Sequence, residues 1–380
     1  MRTIRFGLIG CGMMGREFAS AAARWCHLTE VDFQPQIVAV CNRSPQKMEW
    51  FREHIPSLAL ATTEYHELLE HPQVDAVYVA VPHDQHLPIY SDVIWAGKHL
   101  FGEKPFGIDL AANRAILQAS SENPSVLVRC SSQFSFFPGA YRIYQWLCEG
   151  RFGKIIEVEA GFWHSSDLDP NKPINWKRRI ATNGEYGSMG DLGMHILHIP
   201  LQLGWMPTNV RALLSMVISE RPDNEGRRVP CETWDNAVLA CEVLTPEQQF
   251  PMLLSTKRIA PGHANTWFLR VYGTRWSAEF STQYPKQLRY LPYSTGGLQE
   301  WHTLDMPYQS AYPAITGSIF EFGFSDAILQ MWAAFCDELV HGADGMKQPL
   351  RCVLPQETAF SHQLFTAALE SGRTKQTISL

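Results

Sequence analysis

The chain has 380 residues, 45% of them apolar and 18% charged, with a formal net charge of -6. That length predicts two domains rather than one core, and that composition excludes a chain without a packed interior. An acidic balance whose longest basic run is the triplet Lys177, Arg178 and Arg179 excludes a nucleic-acid footprint or an anionic membrane patch, and no stretch approaches the roughly eighteen apolar residues of a spanning helix.

Along the first 130 residues short β-like runs alternate with helical patterns. "IRFGLIG" at 4–10 reads as a strand and 13–25 as a helix; "QIVAVC" at 36–41 precedes a helix near 45–54. Further strands follow at 75–81, 99–104 and 125–131, separated by the helical spacings of "HLPIYSDVIWAG" and "DLAANRAILQASS". Near-continuous apolar strands in this order predict a parallel sheet covered on both faces, a doubly wound nucleotide-binding layout over residues 1–133.

From residue 134 the texture changes. One helix, "GAYRIYQWLCEG", precedes strands that alternate apolar and polar residues, among them "KIIEVEAGFWH", "DNAVLACEVL", "FPMLLSTKRI" and "TWFLRVYGT". Such alternation predicts a second domain, 134–380, whose sheet has one buried and one wetter face. Two amphipathic helices, "DAILQMWAAFCDELVHG" and "PQETAFSHQLFTAALESG", are expected to close it, and loops are expected near 221–230, 291–297 and 305–318. Nine cysteines without a C-x-x-C pair point to reduced thiols in a cytoplasm, and glycine interrupts the N-terminal apolar run too early for a secretory signal.

"GLIGCGMMG" sets Gly10, Gly12 and Gly15 in G-x-G-x-x-G spacing directly after a strand and at a helix start. The first glycine permits the tight turn, the second lets the backbone approach a pyrophosphate, and the third lets helix meet strand, so Gly10, Cys11, Gly12, Met13, Met14 and Gly15 are expected around a dinucleotide. After the second strand comes "CNRSP", with Asn42, Arg43 and Ser44 where an NAD enzyme commonly carries Asp. A carboxylate there bonds the ribose hydroxyls and repels a 2′-phosphate, whereas Arg and Ser bind one, so the cofactor reading is NAD(P) leaning to NADP. The competing reading has Arg43 stacked flat on adenine, deciding nothing.

"GEKPFG" ends the strand at 99–104, where open α/β sheets place their ligands, and puts Lys104 near the reacting end of the cofactor, although a lysine after a strand is also an ordinary solvated group. In "GDLGMHILH" Asp191, His195 and His198 share one helix sector. A metal site, an acid/base pair and satisfied core polar residues all remain open for it. The spacing does not match H-E-x-x-H, no metal is assigned, and an acid/base pair beside a lysine suits a dinucleotide fold better.

With these pieces in order, and with "DAVYVAVPHDQH", "AGKHLFGEKP", "VYGT" and "AALESG", nearly the whole chain resembles the glucose–fructose oxidoreductase/inositol dehydrogenase (Gfo/Idh/MocA) family. The resemblance implies an α/β chain: an N-terminal Rossmann domain and a C-terminal α+β domain with a large open, mostly antiparallel sheet. It carries the family's E-K-P lysine to Lys104 and its D-x-x-x-H pair to Asp191 and His195, and it places Val81, Pro82, His86 and Glu103 at the cofactor. Where the family has an acidic residue three after the histidine this chain has His198, and where the family has Asn-x-Arg it has Gln133 and no Arg. "FWHSSDLDPNKPINWKRR" is similar to members that oxidise sugars or anhydrosugars and nominates Trp163, His164 and Trp176, with Gln133 and His198, for the substrate, tryptophan being equally a core residue.

The expected activity is hydride transfer between NAD(P) and a secondary hydroxyl of a sugar, cyclitol or polyol. His195 would be general base, Lys104 would polarise the oxygen, and Asp191 would orient them. A redox-assisted glycosidase or epimerase that retains its cofactor and a non-enzymatic nucleotide sensor are the alternatives, and the resemblance implies a homodimer or homotetramer.

Overall fold

The structure is a computed structural model that describes residues 1–307, 309–317 and 319–380. In chain order it begins β1 (Arg2–Ile9), α1 (Met13–Ala23), β2 (Phe33–Cys41), α2 (Gln46–His54), β3 (Leu60–Thr62), α3 (Tyr65–Glu70) and β4 (Ala76–Val79). Next come α4 (His86–Trp95), β5 (His99–Gly102), α5 (Leu110–Glu122), β6 (Val128–Cys130), α6 (Pro138–Cys148), β7 (Ile155–Trp163), α7 (Ile180–Asn183) and α8 (Ser188–Gln202). Strands then dominate: β8 (Pro207–Ser215), β9 (Glu220–Pro222), β10 (Arg228–Pro230), β11 (Asn236–Leu244), β12 (Gln249–Lys257), β13 (Thr266–Gly273), β14 (Trp276–Ser281), β15 (Gln287–Pro292) and β16 (His302–Asp305). Last are α9 (Phe324–His341), α10 (Pro355–Thr374) and β17 (Ile378–Ser379).

Two compact units emerge, and their division differs from a single cut at residue 133. One unit comprises Met1–Gly107, Ala111–Phe136 and Tyr308–Gln356; the other comprises Ile108–Leu110, Phe137–Pro307 and Glu357–Leu380. In the first, six parallel strands run in the order β3-β2-β1-β4-β5-β6. The order reverses between β1 and β4, and at such a switch point the carboxyl ends of the strands open a crevice for a ligand. Gly10, Asn42, Val81, Lys104 and Gln133 all stand just past strand ends.

The helix α9, expected to close the C-terminal domain, instead covers a face of this first sheet. Its Trp332 stacks on Phe18 of α1 with ring centroids 3.6 Å apart and meets Phe6, Tyr78 and Phe101 of β1, β4 and β5 edge-on at 5.1, 5.0 and 4.7 Å. Every residue of α9 from Ala327 to Glu338 is buried, a pattern of complete burial rather than of an amphipathic stripe. Arg129 of β6 pairs with Glu338 and anchors the helix from the sheet's edge.

The second unit holds a nine-stranded sheet in the order β16-β15-β14-β13-β7-β12-β11-β8-β17, antiparallel throughout except that β7 and β12 are parallel. Burial alternates strictly along β11 and through most of β12, so one face is covered and the other open. Helix α8 lies on the covered face. Gly187 before it has φ 57°, and a Cβ there would stand 2.6 Å from the Trp234 nitrogen; at Gly193 a Cβ would stand 2.3 Å from the Phe365 ring of α10. These close approaches bury α8 from Ser188 to Leu201, polar residues included. The loop expected at 221–230 carries the two-stranded hairpin β9–β10, and of the loop expected at 305–318, positions 308 and 318 lie outside the described residues.

Candidate active site

The glycine loop divides its labour by geometry. Gly10 has φ 106°, and a Cβ on it would lie 2.2 Å from the Ala80 carbonyl oxygen; on Gly15 it would lie 2.4 Å from the Gly10 oxygen. A side chain at Gly12, by contrast, would meet nothing within 4 Å. Gly10 and Gly15 are therefore required by the fold, while Gly12 leaves open approach to the N-terminus of α1, which has no side-chain cap. Met13 is exposed and Met14 half-buried on that first turn, and burial pushes the Cys11 thiol up to about 12, which leaves it unreactive. This cradle fits a dinucleotide pyrophosphate.

At the end of β2 the Asn42 side chain accepts from the Cys11 amide (3.1 Å) and donates to the Ser44 carbonyl (3.1 Å), so it shapes the glycine loop. The Ser44 hydroxyl donates to Gln46 Oε1 at 2.8 Å, and Arg43 is exposed. Of the three residues nominated there, Arg43 is the most exposed.

The structure gives two of the nominated cofactor residues an internal task. His86 Nδ1 accepts from the Gly107 amide (3.2 Å), which leaves the proton on Nε2 to be donated to the Val81 carbonyl (3.2 Å); the ring stacks on Tyr90 at 4.6 Å. A neutral His86 thus staples the loop after β4, with Val81 and Pro82, to the segment after β5. The buried Glu103 carboxylate accepts from the Tyr78 hydroxyl at 2.7 Å and its carbonyl from Tyr90 at 2.8 Å. Lys104, beside them, is half-buried and precedes Pro105 through a cis peptide bond. Gln133 is buried past β6, where its carbonyl accepts from the Phe136 amide.

In the second unit, Asp191 and His195 stand one turn apart on α8. The Asp191 carboxylate accepts from Arg258, which follows β12 directly, and both its oxygens accept from Lys177 Nζ at 3.0 and 3.1 Å. Arg258 Nε donates to Asp167 Oδ2 at 2.9 Å. Burial opposes ionisation of Asp167, but Arg258 and Lys172 outweigh it and bring its pKa down to about 2; Arg258 in turn is raised against its own burial by Asp191 and Asp167. A carboxylate committed to two cationic donors is the opposite of a vacant metal ligand, and among the described residues no group of three His, Cys, Asp or Glu gathers to hold a metal ion.

His164, just past β7, lies in the same environment. Burial first and Arg258 second lower its pKa to about 4, so it is neutral at pH 7, and its Nδ1 meets Ser166 Oγ at 2.8 Å. The rings of both His164 and His195 approach Phe162 edge-on, at 5.9 and 5.5 Å, and the His195 carbonyl accepts from Trp267 Nε1. Trp176 is half-buried, with Lys177 Nζ 5.6 Å from its ring centroid.

Two nominated substrate residues have partners away from the Asp191–His195 pair. Trp163 points to the other face of the sheet from Phe162 and α8, because neighbouring strand residues alternate. Its indole donates to Ser255 and lies under Lys257 Nζ at 4.0 Å, beside His263 and Phe268, in an open-face pocket of about 280 Å³. His198 is fully buried with its Nε2 2.8 Å from Gln202 Nε2, a half-buried partner one turn further along the helix. Sequence reasoning missed Arg258, Lys177 and Asp167. Lys177 was noticed only as part of a basic triplet, and nothing local marks Arg258, which stands 67 residues from Asp191.

Comparison with known proteins identifies the family of both parts of the chain. Residues 4–129 match the family described as "Oxidoreductase family, NAD-binding Rossmann fold", and residues 141–279 match the "GFO/IDH/MocA C-terminal domain". An uncharacterized oxidoreductase of Synechocystis sp. is 25% identical over 83% of this chain and 82% of its own length. The levoglucosan dehydrogenase of Pseudarthrobacter phenanthrenivorans is 24% identical over 60% of this chain and 57% of its own length, so the match spans just over half of that relative. A solved levoglucosan dehydrogenase in complex with NADH and L-sorbose superposes with a TM-score of 0.86, covering 100% of this chain and 99% of that one; at 19% identity this is a likeness of fold. No helix among the described residues is long and apolar enough to cross a membrane.

Proposed function

This chain belongs to the Gfo/Idh/MocA oxidoreductase family, and we propose that it is an NAD(P)-dependent dehydrogenase of a secondary hydroxyl on a monosaccharide, cyclitol or related polyol. The observation that carries the reading is Asp191 and His195 one turn apart on a buried helix, with the carboxylate fixed by two cations, in a chain whose other unit holds an open pyrophosphate cradle at Gly12. The bound nicotinamide supplies the hydride acceptor. His195 takes the hydroxyl proton, Lys104 polarises the oxygen, and Asp191 orients the pair. Half-buried Trp176 and neutral His164 offer a ring face and a hydrogen-bonding edge suited to a sugar. The names of the levoglucosan dehydrogenase relatives point the same way.

For the cofactor we favour NADP, because no carboxylate stands at Asn42 and Arg43 is exposed beside it. The nine free thiols suit a cytoplasm, and the open face of the nine-stranded sheet suits a homodimer or homotetramer. A sugar and polyol panel read by nicotinamide absorbance with both cofactors tests the activity. His195→Ala and Lys104→Ala are each expected to lower kcat by about 100-fold or more while the cofactor still binds. Near-normal turnover in both rejects the assignment, and turnover without net change in nicotinamide absorbance replaces it by a cofactor-retaining reaction.

A further inference from the structure

The ion pairs around Asp191 extend into a ladder that ties the acid/base helix to three other parts of its unit. Arg258, wholly buried, forks between Asp191 on α8 and Asp167 on the segment after β7. Its backbone amide donates to the Asp235 carbonyl, and its carbonyl accepts from the Asp167 amide. Arg178 pairs with Asp235, whose second oxygen accepts from the Val217 and Ile218 amides at 2.6 and 2.9 Å. Lys177, with about a third of its side chain exposed, closes on Asp191 from the outer side.

The segment that delivers Lys177 is itself held from the β9–β10 hairpin. The buried Arg221 guanidinium donates to the carbonyls of Asp167, Asp169 and Lys172, Arg228 donates to the Pro170 carbonyl, and the Ile174 amide donates to Pro222. Asn175 Oδ1 then accepts from the Lys177 amide and sets the turn Trp176–Arg178. A five-donor planar cation between two carboxylates, with an ammonium on the same acceptor, admits a single side-chain arrangement of Asp191.

We propose that Lys177 and Arg258 are positioning residues for the Asp191–His195 pair, Arg258 fixing the carboxylate from the sheet and Lys177 from the hairpin-held segment. This deepens the dehydrogenase reading and rests on it for its kinetic test. Both Asp191 oxygens are engaged by cationic donors, so it orients rather than exchanges a proton, and the exchange falls to His195. Because Trp176 and Lys177 share one turn, the residue offered to the sugar and the residue that fixes the carboxylate move together.

The test uses the full chain with saturating cofactor and Lys177→Met, Lys177→Arg, Asp191→Asn and the double variant Lys177→Met/Asp191→Asn. Lys177→Met is expected to lower kcat about 10-fold or more while KM for the polyol changes less than about 3-fold, as for a group acting on the transition state through another. Lys177→Arg, keeping the charge and donors, should recover kcat to within about 3-fold of wild type. Added to Asp191→Asn, Lys177→Met should cost less than about 2-fold more, the non-additivity expected of groups acting as one. Additive losses, an effect confined to KM, or failure of Arg to rescue each overturns the proposal. A wild type inactive on the whole panel defeats the dehydrogenase reading instead. The same cycle read on urea unfolding then decides the clamp, with coupling between positions 177 and 191 expected and its absence overturning it. Arg258→Lys, the milder change at the buried position, should follow Lys177→Met in its effect on kcat.

Discussion

Replacing Gly12 and Gly10 by alanine separates what the glycine loop does for the cofactor from what it does for the fold. Gly12 has φ -83° and ψ -161°, which alanine adopts, and its added Cβ meets nothing within 4 Å. Loss of unfolded-chain entropy stabilises Gly12→Ala by about 0.4–1 kcal/mol. Loss of a favourable N-cap residue offsets this by about 0.5 kcal/mol, so unfolding stability should stay within about 0.5 kcal/mol of wild type. The methyl group nevertheless fills the approach of the pyrophosphate, and NAD affinity should fall about 30- to 100-fold, the equivalent of about 2–3 kcal/mol. Gly10→Ala behaves oppositely. At φ 106° the strain costs about 1–3 kcal/mol. The 2.2 Å approach to the Ala80 oxygen must then be relieved by moving backbone that bonds Ala80 to Ile9, for about 1–3 kcal/mol more. Urea unfolding and calorimetric titration with NAD read the two effects independently. A Gly12→Ala protein that binds NAD as wild type does, or a Gly10→Ala protein that unfolds as wild type does, refutes this division.

Acid should destabilise the second unit through His164. Its folded pKa of about 4 lies below the ordinary 6.5, so the unfolded chain binds the proton first and the contribution, full above pH 6.5, is lost as pH falls toward 4. The gap corresponds to about 3 kcal/mol, and His164→Asn should flatten the loss in urea unfolding between neutral pH and pH 4.5; an unchanged slope sinks the assignment. Trp176→Ala should raise KM for the polyol more than it lowers kcat, while Trp163→Ala, on the open face, should leave both within about 2-fold; the reverse pattern would return Trp163 to the substrate. Arg43→Ala should weaken NADP about 10- to 100-fold by removing a charge-assisted bond and spare NAD; equal losses for both cofactors would mean that Arg43 stacks on adenine.

The first sheet was legible because its strands are nearly continuous apolar runs and its turn glycines have backbone reasons to be there. Gly10 and Gly15 clash with carbonyls if given a side chain, and Gly12 does not, which is the division of roles that the spacing implied. The allegiance of α9 was not legible. Periodicity shows that a helix buries apolar residues but not against which sheet, and Trp332 meets Phe6 and Phe18 across more than 300 positions of sequence. The hairpin β9–β10 was hidden for a related reason: its strands have three residues each, too short for alternation to show, and its packing is dominated by buried Arg221 bonding to carbonyls.

At the acid/base helix, spacing placed Asp191, His195 and His198 on one sector, and only the family resemblance set His198 apart from the other two; all three are buried. Their partners rank them. Asp191 faces Arg258 and Lys177, which hold its carboxylate in place; His198 Nε2 meets Gln202 within its own helix; and an odd step along β7 turns Trp163 to the opposite face from Phe162. The pairing of Asp191 with Arg258 depends on groups 67 positions apart, whereas Gln202 and the alternation along β7 are local. A positive charge buried without a carboxylate would be too costly to keep, so Asp167 and Asp191 account for Arg258 as much as Arg258 accounts for them. Removing either carboxylate halves the negative charge around the buried Arg258, and removing Arg258 leaves Asp191 with Lys177 and Asp167 with Lys172. The arrangement is therefore coupled, and a change at Asp167, with no role in proton transfer, should disturb Asp191 through Arg258 and through the Lys172-bearing segment that delivers Lys177.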